Sequence, residues 1–199
     1  MTRYILHGGN IRGSGDEGKA YFEEVFKDLG KSIKVLFCFF AQPRELWQPK
    51  YREWSERISR VLGDLDFEFT LAEPQKFREQ INDAEVLYIY GGDDELLLET
   101  VQKTDEFVDS LSNFKVVTGS SAGAILLADH SWGCDRRKVA EGLGVVPTNT
   151  LVHYGSSYGS DDARGPIDWD KAEQELREAV GPNAEIIKLH EGEFEVYEH

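Results

Sequence analysis

A serine among small residues, at the end of an apolar segment, is the feature of this sequence that could do chemistry. Residues 119–123 read Gly-Ser-Ser-Ala-Gly, after the β-branched segment 114–118 and before the apolar segment 124–128. A serine on a tight strand-to-helix turn stands exposed above the edge of a sheet, and small neighbours permit the bend. The N–H groups that open the helix favour negative charge. The pattern predicts a nucleophile elbow at Ser121, and an ordinary Gly/Ser connection is the alternative.

A nucleophilic serine needs a general base, an acid that orients this base, and an oxyanion hole. Five histidines are candidates for the base. His153 and His190 both follow strand-like segments whose ends could approach the elbow. His7 ends the first predicted strand, His130 lies at the end of the elbow helix, and His199 is the last residue. The residue pattern alone leaves His153 and His190 as equivalent choices.

The acid and the oxyanion hole have candidates of their own. Glu191 stands out because it forms a Glu-Gly turn directly after the apolar segment 186–189, and a solvated turn glutamate is the alternative. The N–H group of Ala122 is the natural first oxyanion donor, because it follows the nucleophile directly. Gly91 or Gly92 could supply the second donor, since a backbone without a side chain approaches a substrate closely.

Strand-like and helix-like segments alternate along the chain, which predicts an α/β fold with a mostly parallel sheet and helices on both faces. No internal repeat or linker divides the sequence, so one domain is predicted over residues 1–199. Residues 130–168 are rich in Gly, Ser, Asp and Pro, with one strand near 148–153. The other predicted strands are 4–7, 33–40, 67–71, 86–90, 114–118, 185–189 and 194–197, and the predicted helices are 19–29, 45–62, 74–81, 95–102, 105–111, 124–128 and 168–180.

Three glycine-marked strand ends compete for the ligand site. Ligands of open α/β sheets bind beyond the carboxyl ends of the strands. The candidates are residues 8–10, residues 91–93 and the elbow. The glycine-rich residues 8–18 contain neither a phosphate-loop nor a dinucleotide-binding motif, so they are predicted to be a flexible connection near the active face.

The composition narrows the classes of partner. The 199 residues carry a formal net charge of −15, so neither nucleic acid nor an anionic membrane is predicted as a partner. The longest apolar run, residues 35–41, has only the length of a strand, and the amino terminus is too short in apolar residues for a signal peptide. Cys38 and Cys134 have the placement of reduced thiols, and no His/Cys pair has ligand spacing. The sequence predicts a cytoplasmic protein without a disulfide or a metal.

Four blocks of the sequence resemble the aspartyl dipeptidase (dipeptidase E)/cyanophycinase family of serine peptidases. Residues 86–93 resemble its strand that ends in a Gly-Gly-Asn/Asp turn, and residues 119–124 resemble its Gly-x-Ser-Ala-Gly-Ala elbow. Residues 143–154 resemble the segment that leads to the catalytic histidine, and residues 182–192 the segment whose Glu-Gly carries the third triad member. The resemblance implies a class I glutamine amidotransferase-like (flavodoxin-like) fold, a three-layer αβα sandwich.

The resemblance also implies a role for each matched residue. Ser121 is the implied nucleophile, His153 the general base and Glu191 the orienting acid, with an oxyanion hole from the N–H groups of Gly92 and Ala122. The implied reaction is hydrolysis of a small peptide or amide through an acyl-enzyme, without a cofactor.

The order Ser, His, Glu separates this scheme from the α/β-hydrolases, in which the acid precedes a terminal histidine. In that rival scheme His190 is the base and an acid such as Asp161 is its partner. Gly91, Asp93 and Arg164 are the candidates for substrate binding; Arg164 is the cation nearest to the stretch in which the family's dipeptidases carry an arginine.

Alternatives to a dipeptidase with a preference for an amino-terminal aspartate stay open at this point. One is a catalytically inactive or regulatory amidotransferase-like protein that binds a small ligand in the same cleft. Another is a cyanophycinase-type hydrolase of branched aspartate polymers. For the assembly, a homodimer is the one form considered.

Overall fold

A computed structural model describes residues 1–198 of the chain. The ten strands within these residues form two sheets. They are β1 Arg3–His7, β2 Ser32–Cys38, β3 Asp66–Leu71, β4 Val86–Ile89, β5 Val116–Ser120, β6 His130–Gly133, β7 Lys138–Glu141, β8 Asn149–Leu151, β9 Ile186–Lys188 and β10 Phe194–Glu198.

Seven α-helices connect and cover the strands in the part of the chain that the structure describes. They are α1 Lys19–Val25, α2 Arg44–Val61, α3 Phe77–Gln80, α4 Asp94–Gln102, α5 Phe107–Ser110, α6 Ala122–Leu127 and α7 Trp169–Val180. Short 3-10 turns occupy Ile11–Gly13, Ile81–Asp83 and Leu111–Asn113. Between residues 1 and 198, no helix is long and apolar enough to cross a membrane.

The main sheet has six strands in the order β10-β1-β5-β4-β2-β3. All neighbours are parallel except β10, which is antiparallel to β1. Every residue of β4 and β5 is buried, as expected for central strands of a parallel sheet that helices cover on both faces. The predicted fold class, a three-layer αβα sandwich around a mostly parallel sheet, is confirmed.

The second sheet was not predicted. Its order is β7-β6-β8-β9, and β6 and β7 form an antiparallel pair in residues for which the sequence indicated irregular structure. Most of β6 is buried, and β7 is half-buried or exposed along its length. Neither strand therefore has one buried and one exposed face, so its sequence does not show the alternation of apolar and polar residues that identifies a strand. The prediction that His130 lies at the end of the elbow helix is wrong. Helix α6 ends at Leu127, and His130 begins β6.

Aromatic side chains fill the core beside β2. The ring of Phe37 is fully buried and lies 5.3 Å from the ring of Phe69 and 5.3 Å from that of Tyr88, centroid to centroid. Phe39 lies at 5.5 Å and Tyr51 at 6.1 Å. Such aromatic pairs stabilise the fold beyond the hydrophobic contribution of burial. This cluster therefore packs β2, β3 and β4 against α2.

Replacing Phe37 by Ala removes the centre of this cluster. We expect the free energy of unfolding to fall by about 3–5 kcal/mol, because a buried phenyl ring is lost and a cavity is left. Urea denaturation of both proteins measures the difference. Val108→Ala is the control, since Val108 is 46% exposed on α5, and it should change stability by less than about 0.5 kcal/mol. Equal effects of the two substitutions would contradict the packing described.

Candidate active site

Ser121 occupies the turn between β5 and α6, in an unusual backbone conformation. Its φ is 52° and its ψ is −110°, in a region that residues other than glycine rarely adopt. Its N–H group donates a hydrogen bond of 2.9 Å to the carbonyl of His7. The bend requires small neighbours, because a Cβ on Gly119 would overlap with the backbone of Gly123. The predicted strand–turn–helix context of this serine is therefore present.

A continuous chain of hydrogen bonds connects three predicted residues. The Oγ of Ser121 lies 2.9 Å from the Nε2 of His153. The Nδ1 of His153 lies 2.9 Å from the Oε1 of Glu191. The imidazole is buried, while 28% of the Glu191 side chain is exposed. A neutral imidazole that donates from Nδ1 to the carboxylate has Nε2 free to accept the serine proton.

The rival pair is not assembled. His190 is exposed, and its ring packs edge-on against Tyr154 at 5.4 Å. Asp161 is exposed as well, and no hydrogen bond joins it to His190 in the part of the chain that the structure describes. The structure therefore brings His153, and not His190, to Ser121.

The remaining histidines lie elsewhere. His7 is 1% exposed; burial, and secondarily the neighbouring His153, lowers its pKa to about 3, so it is a neutral residue under the site. Its Nδ1 accepts the N–H of Gly9 at 2.9 Å. His130 begins β6, and His199 lies outside the described residues.

Residues 7–10, the last residue of β1 and the three that follow it, contact every member of the hydrogen-bonded chain. The carbonyl of His7 accepts the N–H of Ser121, and the carbonyl of Gly8 accepts the N–H of His153 at 2.8 Å. Residues 8–18 were predicted to be a flexible connection, but their first residues are tied to the site by hydrogen bonds.

The next two residues of this segment contact the imidazole and the carboxylate. Gly9 has a φ of 104°, and a Cβ in its place would collide with the ring of His153. Its carbonyl accepts the N–H of Gly192 at 3.0 Å. The side-chain amide of Asn10 donates to the Oε2 of Glu191 at 2.7 Å. A glycine is therefore required where the backbone passes over the imidazole.

Two backbone N–H groups near Ser121, the predicted oxyanion donors, lack a protein acceptor among residues 1–198. Neither the N–H of Ala122 nor that of Gly92 donates to a protein acceptor within residues 1–198. The loop that carries Gly92 is held by Gln42, whose Nε2 donates to the carbonyl of Gly91 at 2.6 Å. Unpaired N–H donors held by a rigid backbone are the usual components of an oxyanion hole.

A cleft of about 340 Å³ opens beside Ser121 and His153. This volume is at the lower end of the range of about 300–1,000 Å³ typical of ligand pockets, so the cleft suits a small substrate. Its walls include two cationic residues, two tyrosines, an asparagine and two glycines: Asn10, Arg12, Lys50, Tyr90, Gly91, Gly92 and Tyr158.

Two residues predicted to bind substrate do not line this cleft. Asp93 accepts the N–H of Leu96 at 3.0 Å and so caps the first turn of α4. Arg164 pairs with Asp162, two residues before it, through a contact of 2.5 Å. The structure does not bring Asp93 and Arg164 into this cleft, because a helix cap and a local ion pair hold their side chains elsewhere. Gly91, in contrast, lines it.

The family model of peptidase family S51 matches residues 5–194 of the chain. The chain belongs to peptidase family S51. It is therefore a serine-type peptidase, a hydrolase that acts on peptide substrates, as the sequence resemblance predicted. A search of curated proteins gave no match.

Two solved structures share the fold of this S51 peptidase. A peptidase from an acI-B1 Actinobacterium aligns with a TM-score of 0.61 and 19% identity, over 99% of this chain and 83% of that chain. A protein assigned as peptidase E from Listeria monocytogenes EGD-e aligns with a TM-score of 0.68 and 16% identity, over 99% of this chain and 97% of the other. At such low identity the likeness concerns the fold alone, which is the predicted class I glutamine amidotransferase-like one.

Electrostatics in this S51 peptidase set the charge states of the imidazole and the carboxylate. Burial lowers the pKa of His153 below its usual value of 6.5, and the adjacent Glu191 offsets only part of this effect. Burial works to raise the pKa of Glu191, but the hydrogen bonds from Asn10 and His153 outweigh it, so this pKa is lowered. Near neutral pH the pair is therefore a neutral imidazole beside a carboxylate.

Sequence reasoning missed several residues of the S51 cleft. Asn10 was noted only as part of a glycine-marked strand end, and Lys50 only as part of a long helix. Lys50 precedes Trp54 by one helical turn, and both side chains line the cleft. Tyr158, whose ring stacks on that of His153 at 4.1 Å, gave no signal in the glycine-rich stretch where it lies.

Removing the charge of Glu191 tests how its carboxylate affects the pKa of His153. In Glu191→Gln the contribution that raises the pKa of His153 is lost, so its imidazole should stay neutral to a lower pH than in the wild type. An NMR titration of the imidazole measures both values, and the wild-type value should itself lie below 6.5. Glu195→Gln, an exposed position on β10, is the control with the same change of charge. A higher pKa in Glu191→Gln would contradict the contact.

Proposed function

We propose that the chain hydrolyses the peptide bond of a small substrate, with Ser121 as nucleophile, His153 as general base and Glu191 as the acid that orients the base. The observation that carries the proposal is the pair of 2.9 Å contacts from Ser121 Oγ to His153 Nε2 and from His153 Nδ1 to Glu191 Oε1. The whole of residues 1–199 acts as one catalytic domain in this proposal.

The reaction proceeds in two halves. The Oγ of Ser121 attacks the scissile carbonyl while Nε2 of His153 takes the hydroxyl proton, and Glu191 stabilises the imidazolium that forms. The imidazolium then gives this proton to the leaving amine, which departs and leaves an acyl-serine. Water attacks the ester by the same route in reverse, which releases the acid and restores Ser121.

The N–H groups of Gly92 and Ala122 bind the oxyanion in both halves. Their support is that they lie beside Ser121 with no protein acceptor within residues 1–198. Loss of one such donor costs about 100- to 1,000-fold in kcat where it has been measured, so the two groups carry a large part of the rate acceleration.

The substrate in this proposal carries a carboxylate on its first residue. Lys50 lines the cleft half-buried, with its ammonium 4.9 Å from the ring centre of Tyr90 and no carboxylate partner among the described residues. Most other cations of this acidic chain are ion-paired, and Arg12, the second cation of the cleft, is hydrogen-bonded to Glu53. Lys50 therefore offers a positive charge that a substrate carboxylate can neutralise.

The strand order indicates which side of the scissile bond carries this carboxylate. His153 is hydrogen-bonded to the end of β1, and Lys50 belongs to α2, which follows β2. Ser121, at the end of β5, lies between β1 on one side and β4 and β2 on the other. Because His153 must protonate the leaving amine, the leaving residue lies on the β1 side and the acyl residue extends toward Lys50. This placement supports a peptide with an acidic first residue, such as Asp-X.

A cytoplasmic location belongs to the same proposal. Cys38 and Cys134 are both free and buried, and burial raises the pKa of each thiol to about 12. Inert, unpaired thiols of this kind are typical of proteins in a reducing compartment.

Ser121→Ala tests the nucleophile. We expect kcat on Asp-Leu to fall by about 10⁴- to 10⁶-fold, the range measured when a triad member is removed, and covalent labelling by a fluorophosphonate to disappear. Ser120→Ala is the matched control and should keep the label. A wild-type protein that is neither labelled nor active would favour the alternative of a catalytically inactive ligand-binding protein.

Lys50→Met tests the substrate class, because Met keeps an apolar stem of similar length and removes the charge. We expect kcat/KM on Asp-Leu to fall by about 10- to 100-fold, the equivalent of one charge-assisted hydrogen bond, with little change on the uncharged Asn-Leu. Lys76→Met, an exposed lysine that does not line the cleft, is the control. Equal losses on the two dipeptides would remove Lys50 from substrate recognition.

A further inference from the structure

Glu191 is held at both of its oxygens. Oε1 accepts from His153, and Oε2 accepts from the side-chain amide of Asn10 at 2.7 Å, across 181 positions of sequence. The carboxylate is 28% exposed, so water competes for its lone pairs. A carboxylate held at one oxygen alone can rotate about its last torsion, for which glutamate has only a broad preference.

Asn10 is itself fixed in place. Its backbone lies in the left-handed region, with φ 52° and ψ 45°, which asparagine tolerates better than most residues. Its Oδ1 accepts the N–H of Gly13 at 3.2 Å and caps the short 3-10 turn, while its Nδ2 faces Glu191. The two ends of one amide thus join the loop after β1 to the carboxylate.

The second hydrogen bond has a consequence for the imidazole. The Nδ1–H of His153 can donate to Oε1 only while the carboxylate keeps this orientation, and that bond keeps Nε2 deprotonated toward Ser121. A donor on Oε2 also favours the charged form of the carboxylate, which agrees with the lowered pKa of Glu191. Asn10 thereby acts on the serine through two intervening side chains.

We propose that Asn10 is a positioning residue of the active site, which orients the Glu191 carboxylate toward His153 and so keeps the imidazole ready to accept the Ser121 proton. The proposal rests on the function proposed above. It adds a fourth side chain, from the loop after β1, to the set on which turnover depends.

Asn10→Asp is the sharpest test. Aspartate has the same shape, still caps the Gly13 N–H and tolerates the same backbone conformation, but it cannot donate to Glu191 and faces it with a second negative charge. We expect kcat on Asp-Leu to fall by about 10- to 100-fold with KM changed by less than about threefold, the loss of one hydrogen bond to a charged group. The melting temperature should stay near that of the wild type.

The pH profile checks the contact of residue 10 with the Glu191–His153 pair. The added negative charge raises the pKa of both Glu191 and His153, so the acid limb of kcat should move to a higher pH in Asn10→Asp. Because the added charge acts whatever the role of Asn10, the loss of kcat at unchanged KM and melting temperature is the result that separates positioning from a purely structural role. An Asn10→Asp protein with the kcat and pH profile of the wild type overturns the proposal.

Asn10→Ser is the second variant, since serine also caps a turn but is too short to reach Glu191 and adds no charge. It should lose kcat to a similar extent, with an acid limb that does not move upward. If neither variant folds, as judged by thermal melting, Asn10 is a structural residue and the proposal fails. Wild-type protein without turnover or fluorophosphonate labelling refutes the proposed function, whereas active wild type with unimpaired variants refutes only the role of Asn10.

Discussion

The candidate active site depends on one set of contacts, the hydrogen bonds that the buried backbone at the end of β1 makes to elements from the rest of the chain. Successive carbonyls of His7 and Gly8 accept the N–H groups of Ser121 and His153. Parallel pairing with β5 places His7 opposite Ser120. The register of these two central strands therefore sets where Ser121 lies relative to the edge of the sheet. The buried, aromatic-rich core holds this register, and the geometry of the site follows from it.

Charge is distributed so that the cleft differs from the rest of the surface. The chain carries a net charge of −15, and most of its cations are paired with neighbouring carboxylates. Lys50 has the ring of Tyr90 as its neighbour, beside a cleft that also holds a neutral imidazole and two backbone donors without a protein acceptor among residues 1–198. A small anion in the cleft is therefore attracted by a few groups at short range. The net negative charge of the molecule repels the same anion at long range, and salt screens this repulsion.

The features that the sequence predicted well are those set by local geometry. The elbow at Ser121, the glycine turn at residues 91–93 and the alternation of strands and helices each need particular residues within a few positions. Contacts between distant segments, such as Asn10 with Glu191, left no pattern to find. Arg164 was assigned to the cleft because it is the cation nearest in sequence to the stretch in which the family's dipeptidases carry an arginine. In the structure, its guanidinium instead forms an ion pair with Asp162. The pair β6–β7 was missed because tertiary burial, and not periodicity, stabilises it.

Ser121 and His153 share a backbone feature whose effect reaches beyond catalysis. Both are non-glycine residues with positive φ, 52° and 55°, and each such conformation costs on the order of 1–3 kcal/mol that the surrounding packing must offset. The backbone at these two residues is thus less stable than the well-packed core around it. Stabilising substitutions therefore belong in the core and on the surface, because relaxing the backbone at these two residues would displace the two side chains that the proposed reaction uses.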